Sequence, residues 1–411
     1  MADHFDDAET QNADAREAAL FARLPEHLQQ AVSGAPGLAR HLQGFDLTRI
    51  SSREAMAELP VLRKVDLMEA QASAPPFGDF AVAEKLAGTR FFSSPGPIWE
   101  PQGLGADPWG CARALFAAGF RRGDVVHNAL SYHMTPGGFI LDEGARALGC
   151  NVFPAGAGNT ELQVEAAAVL RPSGYTGTPD YLKIMLDKAT ETGADLSSIA
   201  RALVSGGALF PAMREAYAER GVAVMQCYAT ADLGVIAYET ASDGTIHPGM
   251  VVNEELVVEI VRPGTGEAVA PGEVGELVVT NFSSVYPLMR FATGDLTKIL
   301  EEPSPCGRTN MRIAGWMGRA DQRTKVKGMF VDPAQIAALR KSNPAITGAR
   351  LVVERAGDSD AMRLLVTGDA LDIDGIAASL REITRLGGTV EIADELPNDG
   401  KVIADERTYD A

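Results

Sequence analysis

From about residue 120 to residue 230, short apolar runs alternate with longer stretches in which apolar and polar positions share helical spacing. Asp124-Val-Val-His-Asn-Ala-Leu130 reads as a strand, and Leu141 to Leu148 lies on a helix. Cys150-Asn-Val-Phe153 is the next strand, and Thr160 with Gln163 forms a capping-box pattern ahead of an Ala-rich helix. Ser173 to Pro179 is a strand and turn, and Asp180 is placed to cap the helix that carries Leu182, Met185 and Leu186. Arg201-Ala-Leu-Val-Ser-Gly-Gly207 leads into a helix begun by Pro211, and Val222 to Tyr228 is a further strand. Strands alternating with helices in this way predict parallel βαβ units.

The pattern differs on both sides of this region. Before about Leu47 a polar lead-in passes into helix, Ser51 with Glu54 reads as a capping box, and Pro60 ends that helix. Phe91-Phe-Ser-Ser-Pro-Gly-Pro-Ile-Trp-Glu-Pro101 reads as a loop at a strand end, followed by a helix from about Pro108 to Gly119. Glu255 to Val261 and Gly275 to Phe282 are strands divided by Pro-Gly turns, which predicts a small antiparallel sheet or distorted barrel. From about Asp321 the order is strand, helix, strand, strand, helix, strand, with the second helix over Asp372 to Leu386. The expected fold is therefore α/β: a large N-terminal domain over 1–320, with parallel α/β sheets and a small antiparallel sheet, then a small α+β C-terminal lid over 321–411.

Composition narrows the partners. A chain of 411 residues exceeds what one core usually supports, and its 46% apolar content suits a buried globular interior. A net charge of −18 disfavours nucleic acid and anionic membrane surfaces. The four cysteines, Cys111, Cys150, Cys227 and Cys306, are scattered and do not form a disulfide framework. The acidic N-terminus is not followed by an apolar run, and no stretch is long enough to span a membrane, so a cytoplasmic protein is expected.

Chemistry-bearing residues fall at strand ends and near the C-terminus. Tyr228-Ala-Thr-Ala-Asp232 puts an aromatic, a hydroxyl and a carboxylate after a strand, and Ser205-Gly206-Gly207 follows another. Asp295 lies in Arg-Phe-Ala-Thr-Gly-Asp-Leu, where one ionised carboxylate can accept both hydroxyls of a diol. Arg319-Ala-Asp321 precedes Lys325, Lys327 and Gly328, and Asn398-Asp-Gly-Lys401 lies near the C-terminus. Taken singly, these are also a turn aspartate, a solvated basic strand and a surface lysine.

In this order the segments resemble the phenylacetate–coenzyme A ligase family of adenylate-forming enzymes, over about Leu59 to Lys401. The resemblance implies that Tyr228 stacks on adenine, that Ser205, Gly206 and Gly207 cradle it, and that Thr230 bonds a phosphate oxygen. Asp232 stands where the family has Glu and would hold Mg2+ through the phosphates. Asp295 would take the ribose, Arg319 phosphate or ribose, and Asp321 would be the hinge. Lys325, Lys327 and Gly328 would meet coenzyme A, and Lys401 would neutralise charge as the acyl adenylate forms. Tyr132, His133 and Gly137 fall where the family lines its acyl pocket.

Two departures stand out. The family's phosphate loop is a Ser-Ser-Gly-Thr-Thr-Gly-Lys-Pro run, whereas this chain keeps Ser93 and Ser94 and continues Pro-Gly-Pro-Ile-Trp-Glu100. Prolines remove N–H donors, and Glu100 adds a like charge toward a phosphate. Relatives with a zinc site supply four ligands, of which only His247 and Cys306 remain; no structural zinc is expected, with Glu239 and Asp243 the possible substitutes. The function implied is an ATP-dependent carboxylate–coenzyme A ligase on an aryl or arylacetic acid, using ATP/AMP, Mg2+ and coenzyme A, with a homodimer as the expected assembly. The alternatives are an adenylating enzyme with a different acceptor, or a nucleotide- or acyl-binding homologue without ligase activity.

Overall fold

The computed structural model describes residues 4–94, 97–320, 322, 324–327, 329–356, 359–397 and 402–407. The chain divides into two compact units, Met1–Thr293 with Thr297–Met317, and Gly294–Leu296 with Gly318–Ala411.

The first unit is built on a nine-stranded mixed sheet. Its strands run in the order Ile299–Leu300, Arg312–Ile313, Met250–Val252, Gly234–Tyr238, Ala223–Thr230, Arg201–Val204, Gly174–Gly177, Val125–Asn128, Asn151–Pro154. The five strands from Ala223–Thr230 to Asn151–Pro154 are parallel; the pairings beyond are antiparallel. Helices Gly137–Leu148, Thr160–Leu170, Pro179–Thr192 and Pro211–Glu219 make the four parallel connections. Burial on both faces explains the continuous apolar run at Ala202, Leu203 and Val204, all at most 1% exposed.

A four-stranded sheet, Leu62–Arg63, Phe291–Thr297, Gly275–Thr280 and Val257–Val261, completes the unit. The last two pair antiparallel over five residue pairs, whereas Leu62–Arg63 adds a parallel edge. Arg290, with φ of 45°, fixes the start of Phe291–Thr297. Its guanidinium is 2% exposed and uses all five N–H donors: two on the Glu259 carboxylate at 3.0 Å, the others on the carbonyls of Ala57, Leu59 and Gly266.

Local chemistry corrects three capping expectations. Ser52, not Ser51, caps Arg53–Ala57 by accepting the Ala55 N–H at 3.2 Å, because it directly precedes the first helical residue. Asp180 lies inside its helix; Pro179 occupies the first turn and Thr178 is the cap. Gln163 makes no capping box with Thr160. Its amide serves buried groups instead, accepting from or donating to His127 Nε2 at 2.8 Å and donating to the Gly156 and Gly158 carbonyls.

Residues 91–94 and 98–101 are also more regular than a strand-end loop. Phe91–Ser94 and Ile98–Pro101 form an antiparallel hairpin with Ser94 opposite Ile98. Phe92, Ser94, Ile98 and Glu100 turn inward, while Phe91 and Trp99 are exposed. The inward face carries two polar residues, which is why its period of two does not show as a hydrophobic pattern.

The second unit contains a short hairpin, Thr324–Val326 with Met329–Val331, and a four-stranded sheet ordered Thr389–Ile392, Ser359–Gly368, Ile346–Ala356, Ile403–Asp405. Helices Pro333–Ser342 and Ile373–Thr384 bring Ile336, Leu339, Ile376 and Leu380 onto Leu351, Val353, Leu364 and Val366. Among the described residues no helix is long and apolar enough to cross a membrane.

Candidate active site

The parallel strands of the first unit place side chains by topology. The neighbouring strands Val125–Asn128 and Gly174–Gly177 send their helical connections in opposite directions, the first to Asn151–Pro154 and the second to Arg201–Val204. A crevice forms outside the carboxyl ends of strands at such a switch point, where open α/β sheets bind ligands.

Tyr132 lies just beyond the end of Val125–Asn128. Its hydroxyl donates to Asp142 at 2.8 Å and accepts from Asn128 Nδ2 at 2.6 Å, and its ring meets Phe139 edge-on at 5.0 Å. Burial, and then the hydrogen bond to Asp142, push the phenol well above its ordinary range, so it stays neutral. Gly137 opens the helix Gly137–Leu148, where a Cβ would come within 2.9 Å of Leu130. His133 is exposed, with its N–H on Ser131 Oγ. Two strands along, Ser205 Oγ donates to the Cys227 carbonyl at 3.0 Å, Gly206 is left-handed with φ of 72°, and Gly207 follows in the same turn.

Tyr228 and Thr230 close the strand Ala223–Thr230, and Thr230 Oγ1 accepts the Leu233 N–H. Asp232 is 7% exposed; its Oδ2 holds Lys64 Nζ at 3.1 Å, while its Oδ1 is buried without a partner among the described residues. Beside it lies Glu100, 2% exposed, whose Oε1 accepts from Ser94 Oγ at 2.5 Å and whose buried Oε2 has no partner among the described residues. Burial first, and then the Asp232 carboxylate, push Glu100 up to about 8. Glu100 is therefore a buried carboxylic acid at neutral pH, which corrects the expectation of an ionised group turned toward phosphate. Tyr286, bonded by Gln71, feels the same pair: burial first, and then the Asp232 and Glu100 carboxyls, raise its phenol. Ser93 donates its N–H to the Met134 carbonyl at 2.8 Å, tying the hairpin to the Tyr132 loop.

In the second unit, Arg319 Nη1 donates to Asp295 Oδ1 at 2.9 Å, and the two residues form an antiparallel bridge. Lys327 lies in the turn of the short hairpin with φ of 47°, exposed, its N–H on Asp360. Lys325 pairs in register with Phe330. Asp321, Gly328 and Lys401 lie outside the described residues. The remnants of the zinc pattern have other partners: His247 bonds Ser242 Oγ, Cys306 Sγ meets Ser304 Oγ and Arg308, and Glu239 binds Arg214 and Gln226.

Lys64, Asp142 and Asn128 carry no local sequence signal for a role in the site. Lys64 is 168 positions from Asp232, and only the folded sheet brings the two together.

Residues 111–285 match the family model for AMP-binding enzymes. Together with the relatives that follow, this makes the protein an adenylate-forming enzyme. The chain is 31% identical to the phenylacetate–coenzyme A ligase of Thermus thermophilus over 336 residues, covering 79% of this chain and 74% of that protein. It is 29% identical to that of Escherichia coli K12 over 381 residues, covering 88% and 84%. A crystal structure of 2-hydroxyisobutyryl-CoA ligase in complex with 2-HIB-AMP and CoA superposes with a TM-score of 0.74 at 24% identity, over 99% of this chain and 93% of that one, a likeness of fold. The chain belongs to the phenylacetate–coenzyme A ligase family, and with it to the AMP-forming acid–thiol ligases.

Proposed function

We propose that this chain converts an aryl or arylacetic acid, with phenylacetate as reference substrate, into its coenzyme A thioester through an acyl adenylate made from ATP. The carrying observation is the aromatic corner at the switch point. Tyr132, held by Asp142 and Asn128 and backed by Phe139, offers a fixed flat surface to an aromatic acid. The family's curated ligases are named for phenylacetate, which agrees with that chemistry.

In this reading the acid attacks the α-phosphorus of ATP, pyrophosphate leaves, and the coenzyme A thiol then displaces AMP from the acyl carbon. Tyr228, Ser205, Gly206 and Gly207 hold the adenine end, and Asp295 with Arg319 the ribose and phosphate. Lys401 neutralises the developing charge, and Asp321 is the hinge of a C-terminal lid over 321–411. The buried Oδ1 of Asp232, without a partner among the described residues, is a hard donor of the kind Mg2+ takes beside phosphates, and Asp232 would hold it. The ion would offset charge on the phosphates. Lys325, Lys327 and Gly328 would border the pantetheine arm, and the assembly would be a homodimer.

A second reading is favoured by the hairpin. Ser94 and Ile98 are direct register partners, so only residues 95–97 join them where the family has a phosphate-cradling loop. That favours an adenylate-handling protein with a different acceptor, or one that binds nucleotide without ligating. Carboxylate-dependent ATP–pyrophosphate exchange over aromatic and short aliphatic acids separates the two. Exchange with phenylacetate that is lost in Lys401→Ala supports the ligase. AMP binding without exchange for any acid supports the second reading, and neither signal would overturn both.

A further inference from the structure

A cavity of about 530 Å³ opens on the first unit beside the helix Ala13–Gly34 and the strands Ile299–Leu300 and Arg312–Ile313. It is lined by none of the residues assigned above to nucleotide, acid or coenzyme A. Its charged wall consists of Arg16, Arg53 and Arg312 with Glu17, Glu301 and Glu302.

Two of the three arginines are already engaged. Arg53 grips the Glu17 carboxylate at 2.8 and 2.9 Å and donates to the Val258 carbonyl. Arg16 donates to Thr309 Oγ1 and to the Ala8 and Gln11 carbonyls. Arg312 differs. It is 6% exposed, and among the described residues its buried Nε has no acceptor and no carboxylate lies within 4.0 Å of its guanidinium. A buried cation without a counter-charge is costly, and such groups are normally paired or serve a ligand.

The surroundings narrow what that ligand would be. Arg16 also has no carboxylate within 4.0 Å among the described residues, but its donors are taken by Thr309 and two carbonyls, which leaves Arg312, whose planar fork matches a carboxylate. Glu301 and Glu302, both exposed, disfavour polyanions such as nucleotides. Leu20, Leu256, Ile299 and Met311 supply an apolar wall, and the volume lies in the range of small-molecule sites. We propose that this cavity binds a small organic monocarboxylate with an apolar body, its carboxylate seated on Arg312. The acid bound here need not be the one that is ligated, and the site stands or falls independently of the acyl pocket.

The test is calorimetric titration of the full chain with hexanoate and with hexanamide, its uncharged counterpart. Hexanoate should bind the wild type and Tyr132→Ala alike, and bind Arg312→Gln at least tenfold more weakly; hexanamide should not bind measurably. Met311→Glu, which sets a negative charge in the same wall, should weaken hexanoate by a similar factor and decides the matter if Arg312→Gln does not fold. Unchanged affinity in Arg312→Gln or in a folded Met311→Glu, equal binding of the amide, loss in Tyr132→Ala alone, or no uptake by the wild type at millimolar hexanoate would each overturn the proposal. Absence of ATP–pyrophosphate exchange with every acid would count against the ligase reading and leave this one standing.

Discussion

Replacing Glu100 with glutamine should make the protein more stable, and more so as pH rises. The buried carboxyl titrates at about 8 in the folded chain, against an ordinary value of 4.5. Between those values the folded state holds a proton that the unfolded state has released. Stability therefore falls as pH rises through this window, by up to about 1.4 kcal/mol per pH unit. From pH 5 to pH 8 the cumulative loss from this one group is about 3 kcal/mol, once its sharing with the Asp232 carboxylate is allowed for. The amide in Glu100→Gln keeps an acceptor for Ser94 and carries no proton to lose. Glu254, raised to about 7 by burial, titrates over part of the same range in both proteins, so it cancels in the difference. Urea unfolding at pH 5, 6.5 and 8 should show near-equal stabilities at the lowest pH. At pH 8 the variant should lead by about 3 kcal/mol. Parallel stability curves for the two proteins across this range would refute a buried, protonated Glu100.

Other perturbations probe separate parts of the structure. Glu254→Gln should gain stability in the same direction over a narrower window, from about pH 4.5 to pH 7, read by the same urea series. Arg290→Met strands the buried Glu259 carboxylate and should cost about 3–5 kcal/mol in denaturant unfolding. Gly234 has φ of 78° and its Cβ would fall 2.7 Å from the Trp109 carbonyl oxygen, so Gly234→Ala should cost at least about 2 kcal/mol in the same measurement. Asp142→Asn should raise the KM for phenylacetate several-fold with a smaller change in kcat, as steady-state thioester formation would show, because it loosens Tyr132 without touching the reacting atoms.

Much of the parallel half of the fold was legible because strands such as Ala202-Leu203-Val204 are short apolar runs closed by a glycine, proline or polar turn. Pro211 marked a helix start for a reason that tertiary contacts do not override, whereas Pro179 was read as part of the preceding turn although it opens its helix in the same way. The hairpin over 91–101 was hidden because the residues it buries include Ser94 and Glu100, which a reading of hydrophobic period places outside. Caps were ambiguous where two candidates adjoin, as at Ser51 and Ser52, since only the first helical residue decides between them. The pairings Lys64–Asp232 and Tyr132–Asp142 arise from sheet and helix packing, and a linear motif contains no trace of either.

Arg290 has a further consequence for how the first unit opens. Its five donors end on residues 57, 59, 259 and 266, and its own carbonyl accepts the Leu62 N–H at 3.0 Å. No one of these segments can peel away alone without leaving a buried charge or carbonyl bare. Local fraying there is thus suppressed, and amide exchange at Leu62, Ile260 and Phe291 should share one opening free energy and rise together in urea. The segment before the first strand, which sequence distance would class as a removable extension, behaves energetically as part of the sheet it contacts.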